Sequence, residues 1–357
     1  MIPAHKINLP SKIIIGNGVI NKIGELCEKL GFKSNNGKKN VFIVTGPTTY
    51  KIAGKKMIAA LEDDGYNATY LEIKESNMGY VNWCQDEMCN FNPDIVIGLG
   101  GGKNIDVAKL ASSELGLPFI SAPTALSHDG VASPFASVQG IEQEFSLVAQ
   151  TPLAILADTG IILQAPPRLL NAGIGDILAN LTAVLDWKLA HRIKNEYYGH
   201  FAAMLSQKSA EMLLENYDKL NHNEGSVRTV LEALITSSIA ISVAGSSRPA
   251  SGSEHLFSHA LDSLKSDYAL HGEQCGVGTI MMMYLHDQVV PNWQTIRKAL
   301  KFVKAPINAK ELRVKDEKII KALTIAHKMR DRYTIISSGL TEEAAEHLAI
   351  STGVIEE

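Results

Sequence analysis

Short apolar runs, each closed by glycine, proline or polar residues, recur through the first half of the chain: KIIIG, NVFIVTG, ATYLEI, DIVIGLG and PFISAPT. They are rich in Ile and Val and do not alternate cleanly with polar residues, which fits strands buried on both faces. Between several of them the apolar period lengthens to that of a helix, as in YKIAGKKMIAALEDDG and NIDVAKLASSELG. Strand–helix alternation predicts a mainly parallel sheet covered by helices. Past LAILADTGIIL the strand signal fades. The pattern then predicts helices over PPRLLNAGIGDILANLTAVLDWKLAHRI, HFAAMLSQKSAEMLLENYDKL and VRTVLEALITSSIAISVAG, with Pro166 and Pro167 suited to a helix start. The predicted fold is an α/β N-terminal domain, residues 1–165, followed by an all-α C-terminal domain, residues 166–357. A cleft between two such domains is the default place for a site.

Composition narrows the classes. A chain of 357 residues suits two domains at about 150 residues each. Hydrophobic residues at 45% and charged residues at 20% describe an ordinary globular protein, and a net charge of −4 points away from nucleic acid as a partner. The N-terminal MIPAHKINLPSKIII lacks the apolar core of a signal peptide, and no stretch reads as the run of about 20 apolar residues that spans a bilayer. No membrane insertion is expected, and a cytoplasmic location is. Four cysteines, Cys27, Cys84, Cys89 and Cys275, form no C-x-x-C pair and read as reduced thiols.

GLGGGKNIDVAK follows a predicted strand and opens a predicted helix. Gly100, Gly101 and Gly102 allow close backbone approach, and the helix N-terminus suits a phosphate. The spacing matches neither G-x-G-x-x-G nor a P-loop, so a tight strand–helix turn is the equal alternative. TGPTTYKIAGKK fails as a P-loop too, with Lys56 where Ser or Thr is needed. Asp106, in the helix's first turn, can complement the dipole. Metal donors gather in three places: Asp176 in AGIGDILAN, His255 and His259 in SGSEHLFSHALD, and His271 in YALHGEQCGVG. Taken singly, each has a plain alternative, as a helix N-cap, a polar helix face and a loop histidine. Cys275, four residues after His271, either approaches a site or packs as a small hydrophobe. H-x-x-x-H without Glu in the second position is not the zincin motif.

Long blocks of the chain carry a resemblance: P-x-K-I-I-I-G-N-G, GGGKNIDVAK, PTALSHDGVASPFAS, GIGDILANLTAVLDW, SSRPASGSEHLFSHALD and HGEQCGVG. The sequence resembles the superfamily of glycerol dehydrogenases, iron-containing alcohol dehydrogenases and dehydroquinate synthases. Within it the sequence most resembles the archaeal-type sn-glycerol-1-phosphate dehydrogenases. The resemblance implies a dehydroquinate synthase-like fold and reversible reduction of dihydroxyacetone phosphate with NADH or NADPH, supplying the glycerophosphate backbone of archaeal membrane lipids. It also implies one catalytic Zn2+ held by Asp176, His255 and His271, and a homo-oligomer is expected.

The same resemblance assigns roles by position. His259 and Asp176 are catalytic and touch the substrate, and Asp129 binds a substrate hydroxyl. Gly101, Gly102, Lys103, Asn104, Ile105 and Asp106, with Thr124, Ser127 and Ser133, bind the dinucleotide; the alternative for the last three is ordinary loop hydrogen bonding. His128 is read as structural. Iron-dependent relatives carry a further histidine ligand one turn after the aspartate, where this chain has Asn180; that favours zinc. Dehydroquinate synthases use glutamate where Asp176 stands, which disfavours a cyclising lyase. A phosphorylated substrate needs a cation, and Arg248 is the candidate; its alternative is a surface arginine at a helix end. A zinc-dependent glycerol or polyol dehydrogenase is the competing reading.

Overall fold

The structure is a computed structural model that describes residues 7–33, 39–139, 147–265, 269–287 and 291–356. The chain divides into two compact units. One comprises residues 7–126 and 130–165; the other comprises residues 127–129 and the chain from Pro166 onward.

The first unit is built on six strands: β1 (Lys12–Gly16), β2 (Asn40–Thr45), β3 (Asn67–Glu72), β4 (Ile95–Gly100), β5 (Phe119–Pro123) and β8 (Ala154–Asp158). Their order is β1-β8-β5-β4-β2-β3, and every neighbouring pair is parallel. Every position of β4, β5 and β8 is buried, while the edge strands β1 and β3 carry exposed positions. This is why the central runs lack alternation. Successive residues point to opposite faces, so Ile43, Ile97 and Leu99 pack with Leu26, Met57 and Leu61. Phe42, Val44 and Val96 pack with Met88, Ile105 and Leu110 on the other side. A two-stranded antiparallel ribbon, β6 (Phe135–Ala136) with β7 (Leu147–Val148), was not foreseen, because strands of two residues carry no period.

The turn between β4 and the Gly102–Glu114 helix explains its glycines separately. Gly100 has φ +154, and a Cβ there would lie 2.3 Å from Asn104 Oδ1. Gly101 has ordinary dihedrals, φ −79 and ψ −174, and a Cβ there would meet nothing within 4 Å. Gly100 is therefore required by the fold, whereas Gly101 leaves open space beside the helix N-terminus.

The second unit is helical. Pro166 precedes a helix with Pro167 at its first position, Pro167–Leu178. The predicted single helix over 166–193 is interrupted at Ala179, after which Asn180–Lys194 continues. Then follow His200–Leu214, Glu224–Ala244, Ser253–Ser263 and His271–His286. Asn223 caps the fourth through Ser226 N, and Gly245 closes it with φ +66. One sequence expectation is corrected here. The segments 167–194 and 224–244 are long and apolar enough to cross a membrane by length and composition. Their Ala, Gly, Ser and Thr, spaced between Leu and Ile, keep them apolar without forming an obvious run. Of their most apolar windows, 83% and 67% are buried within the fold, as in core helices.

Candidate metal centre

Two helices of the second unit touch backbone to backbone. A Cβ on Gly272 would lie 2.0 Å from Ala172 O, and one on Gly175 would lie 2.3 Å from Gly272 O. That contact seats Asp176, next to Gly175, beside His271, the first residue of its helix. Asp176 Oδ1 lies 3.6 Å from His271 Nε2 and 3.7 Å from His255 Nε2. Cys275, one turn after His271, brings Sγ to 3.6 Å from His271 Nε2. One donor atom from each of Asp176, His255, His271 and Cys275 falls within 4.8 Å of all the others. Donors at about 2.0–2.3 Å from a tetrahedral ion lie about 3.3–3.8 Å apart, so the observed spacings suit a bound ion.

The carboxylate itself asks for a cation. Asp176 is 3% exposed, and its Oδ1 is buried with no hydrogen-bond partner. Such an atom costs about 1–3 kcal/mol or more unless something pairs with it. Its Oδ2 accepts from Asp129 N at 2.9 Å. Burial pushes the Asp176 carboxyl well above its ordinary range, and the charges of Asp129 and Glu254 push the same way. Burial also presses His255 down to about 3 and His259 and His271 well below their ordinary value. Neutral imidazoles around an unmatched carboxylate form a donor set for a divalent ion.

Sequence reasoning passed over the groups that aim these donors. Glu254 is fully buried, and its Oε1 accepts from His255 Nδ1 at 2.9 Å and Gly252 N at 2.6 Å. Its Oε2 accepts from Thr182 Oγ1 at 2.5 Å. A carboxylate on one ring nitrogen turns the other, Nε2, toward Asp176 and fixes the tautomer. Ser258 Oγ lies 3.1 Å from His271 Nδ1 and donates to Gln274 Oε1. The only cue in the sequence was a glutamate immediately before His255.

His259 lies beside this group without joining the four donors: its ring centre is 6.3 Å from that of His255 and 6.1 Å from that of His271. Asp129 is held at both ends, its Oδ2 accepting from Ser237 Oγ at 3.0 Å and its carbonyl from Ser238 Oγ. Asn180 turns away from the donors. Its Nδ2 donates to Ser209 Oγ at 2.9 Å and Ser237 Oγ at 3.0 Å. Arg248 is 6% exposed and already engaged: Nε and Nη2 grip Glu196, and Nη1 donates to Tyr333 O at 3.0 Å. It is not a surface arginine.

The dinucleotide segment lies in the first unit, apart from Ser127. Lys103 is exposed, and Gly101 and Gly102 are partly so. Ile105 packs in the apolar core at 1% exposure. Asp106 is the fifth residue of its helix, so it falls past the first turn where the sequence reading put it. Its Oδ1 lies 3.3 Å from Lys109 Nζ, and its Oδ2 accepts from Ser137 N at 3.1 Å. The side chains of Ile105 and Asp106 thus serve the fold, and Ile105 N already donates to Gly101 O at 3.2 Å. Thr124 N donates to Gly100 O at 2.9 Å, and Ser133 Oγ accepts from Phe135 N at 3.1 Å. All four cysteines are free, and only Cys89 is exposed.

Comparison with known proteins identifies the family. Residues 14–166 match the iron-containing alcohol dehydrogenase family. A glycerol-1-phosphate dehydrogenase (NAD(P)+) of Methanosarcina mazei is 50% identical over 354 residues, covering 99% of this chain and 97% of its own length. The enzyme of that name from Methanothermobacter thermautotrophicus is also 50% identical, covering 98% of this chain and 99% of its own length. The crystal structure of glycerol dehydrogenase from Schizosaccharomyces pombe matches with a TM-score of 0.79 at 19% identity, covering 98% of this chain and 90% of that one. That likeness speaks for the fold alone. At half identity over nearly its whole length, the chain belongs to the glycerol-1-phosphate dehydrogenase family.

Proposed function

We propose that this chain catalyses the reversible, NAD(P)H-dependent reduction of dihydroxyacetone phosphate to sn-glycerol 1-phosphate, with zinc as its metal. The observation that carries the reading is the identity with glycerol-1-phosphate dehydrogenases from end to end; the clustered donors support it. The product would supply the glycerophosphate backbone of archaeal membrane lipids. Free cysteines suit a reducing, cytoplasmic setting, and the enzyme is read as a homo-oligomer.

Asp176, His255 and His271 would hold the ion, with Glu254 and Ser258 fixing the two imidazoles. When bound, zinc polarises the ketone oxygen and the nicotinamide supplies hydride. His259 is assigned the proton for the developing alkoxide oxygen. Its buried position keeps the ring neutral, so it works as a hydrogen-bond partner and relay rather than as a fixed cation. Asp129 orients a substrate hydroxyl, itself aligned by Ser237. Zinc rather than iron is favoured by Asn180, which offers no fourth nitrogen ligand. In the first unit, Gly101, Gly102 and Lys103, at the helix N-terminus, would receive the pyrophosphate, with Asn104, Ile105 and Asp106 completing the cofactor segment. Thr124, Ser127 and Ser133 are placed with the cofactor.

The test is NADH and NADPH oxidation with dihydroxyacetone phosphate, with metal analysis of the purified protein and stereochemical analysis of the product. Turnover giving the sn-1 product with zinc present is expected. Turnover of glycerol or dihydroxyacetone but not of the phosphorylated ketone would replace this reading with a polyol dehydrogenase.

A further inference from the structure

Arg330 and Arg332 lie near the histidines of the second unit, with Arg248 beside Arg332. The fields of Arg330 and Arg332 both reach His255 and His259. Arg248 has a matching charge, Glu196, on two of its nitrogens. Arg332 does not. Its Nη2 donates to Ser247 Oγ at 2.7 Å and its Nη1 to Ser251 O, both neutral, and among the described residues no carboxylate is bonded to it. Ser247 and Ser251 belong to SSRPASGS, the loop that leads into the helix bearing His255 and His259. The chain after Arg332 is pinned to the same loop's end: Ile335 N and Ser253 N both donate to Asp186, each at 2.7 Å.

A partly buried guanidinium whose hydrogen bonds go to neutral oxygens keeps donors and charge for a further partner. Such a group fits a fold that receives an anion, and a planar guanidinium fork is complementary to phosphate oxygens. Burial, with Arg248 and Arg330 alongside, pushes the Arg332 guanidinium down to about 9, outweighing the opposing fields of Glu254 and Glu196. We propose that Arg332 takes the phosphate group of the substrate. Arg248, expected in that role from the sequence, is then a positioning residue: clamped to Glu196, it fixes the Tyr333 carbonyl and with it the neighbouring Arg332. Arg330 adds to the positive field. The assignment rests on dihydroxyacetone phosphate being the substrate.

The experiment uses the zinc-loaded enzyme. Arg332→Met should raise KM for dihydroxyacetone phosphate roughly 30-fold or more, as expected for losing one or two charge-assisted hydrogen bonds. Its kcat should change less, and its zinc content and NADH Kd should match wild type. An unchanged KM in the folded, zinc-loaded variant overturns the proposal. Should the variant not fold, the wild type decides through phenylglyoxal modification of Arg332 mapped by mass spectrometry. Dihydroxyacetone phosphate should slow that modification and glycerol should not; indifference to both overturns the assignment. If the wild type fails to reduce dihydroxyacetone phosphate, the proposed function falls and this assignment with it. If it does reduce it while Arg332 is unaffected, only the assignment falls.

Discussion

Replacing Gly272 by alanine probes whether backbone contact between two helices sets the metal geometry. The new Cβ would lie 2.0 Å from Ala172 O and 3.1 Å from Ser127 O. Carbon and carbonyl oxygen ordinarily approach to about 3.3 Å, so the two helices must part by about 1 Å. Metal–ligand distances tolerate about 0.2 Å. The displacement, passed to His271 next door, is several times that tolerance. Zinc affinity should fall by about 10–100-fold, the range seen when outer-sphere support is lost, and stability by about 1–3 kcal/mol from overpacking. Gly276→Ala is the internal control. Its Cβ would sit 3.4 Å from Gly175 Cα and from Leu300 Cδ2, an ordinary contact, so zinc should stay. Competition for zinc against a chromophoric chelator, with thermal unfolding of both variants, measures the outcome. Wild-type zinc affinity in Gly272→Ala, or equal damage in both variants, would refute the reasoning.

Four further outcomes follow from the geometry. His255→Ala should lose zinc, whereas His259→Ala should keep it and lose catalytic efficiency; paired metal content and kinetics that came out the other way round would reverse the two roles. Glu254→Gln weakens the grip on His255 Nδ1 and should lower zinc affinity about 10–100-fold, read by the same chelator competition; unchanged affinity would make Glu254 a mere packing group. Gly101→Val places its side chain in open space, so it should fold normally yet raise the cofactor Kd more than about tenfold, or about 1.4 kcal/mol; unchanged NADH affinity in a fluorescence titration would reduce the glycine loop to a turn. Burial pushes the Asp94 carboxyl up, but Lys39 Nζ and Asn40 N, each at 2.8 Å, outweigh it and hold it below its ordinary value. Its contribution is therefore present above the unfolded carboxylate pKa and lost as pH falls through the lower folded value. Asp94→Asn should cost under about 1 kcal/mol at neutral pH and almost nothing near pH 2 in urea unfolding; an equal cost at both would contradict this.

The sheet could be read along the chain because β4, β5 and β8 are buried on both faces and so appear as unbroken apolar runs. The π-helical turn at Tyr50–Gly54 could not, since it shares the helical pattern that follows it. Donor types at Asp176, His255 and His271 were visible, and the resemblance grouped them. Their convergence depends on Gly175 and Gly272 being bare, a fact about two helices 97 residues apart that no local pattern holds. Arg248 shows the same limit. Its residue type suited phosphate, but Glu196, 52 residues earlier, had already taken its fork.

Asn180 has a consequence for which metal the proposed site could hold. Its amide donates to Ser237, Ser237 donates to the Asp129 carboxylate, and Asp129 N donates to Asp176 Oδ2. The position where the resemblance puts a further ligand in iron-dependent relatives is here the first link of a relay that ends on Asp176 Oδ2, opposite the oxygen that faces the histidines. A histidine at this position would offer a nitrogen while cutting that relay; the hydroxyls of Ser209 and Ser237 would lose the amide donor and keep their own bonds to Ser206 O and Asp129 Oδ2. Asn180 thus already holds part of the site together, so a ligand gained there by substitution would come at the cost of the support it now gives.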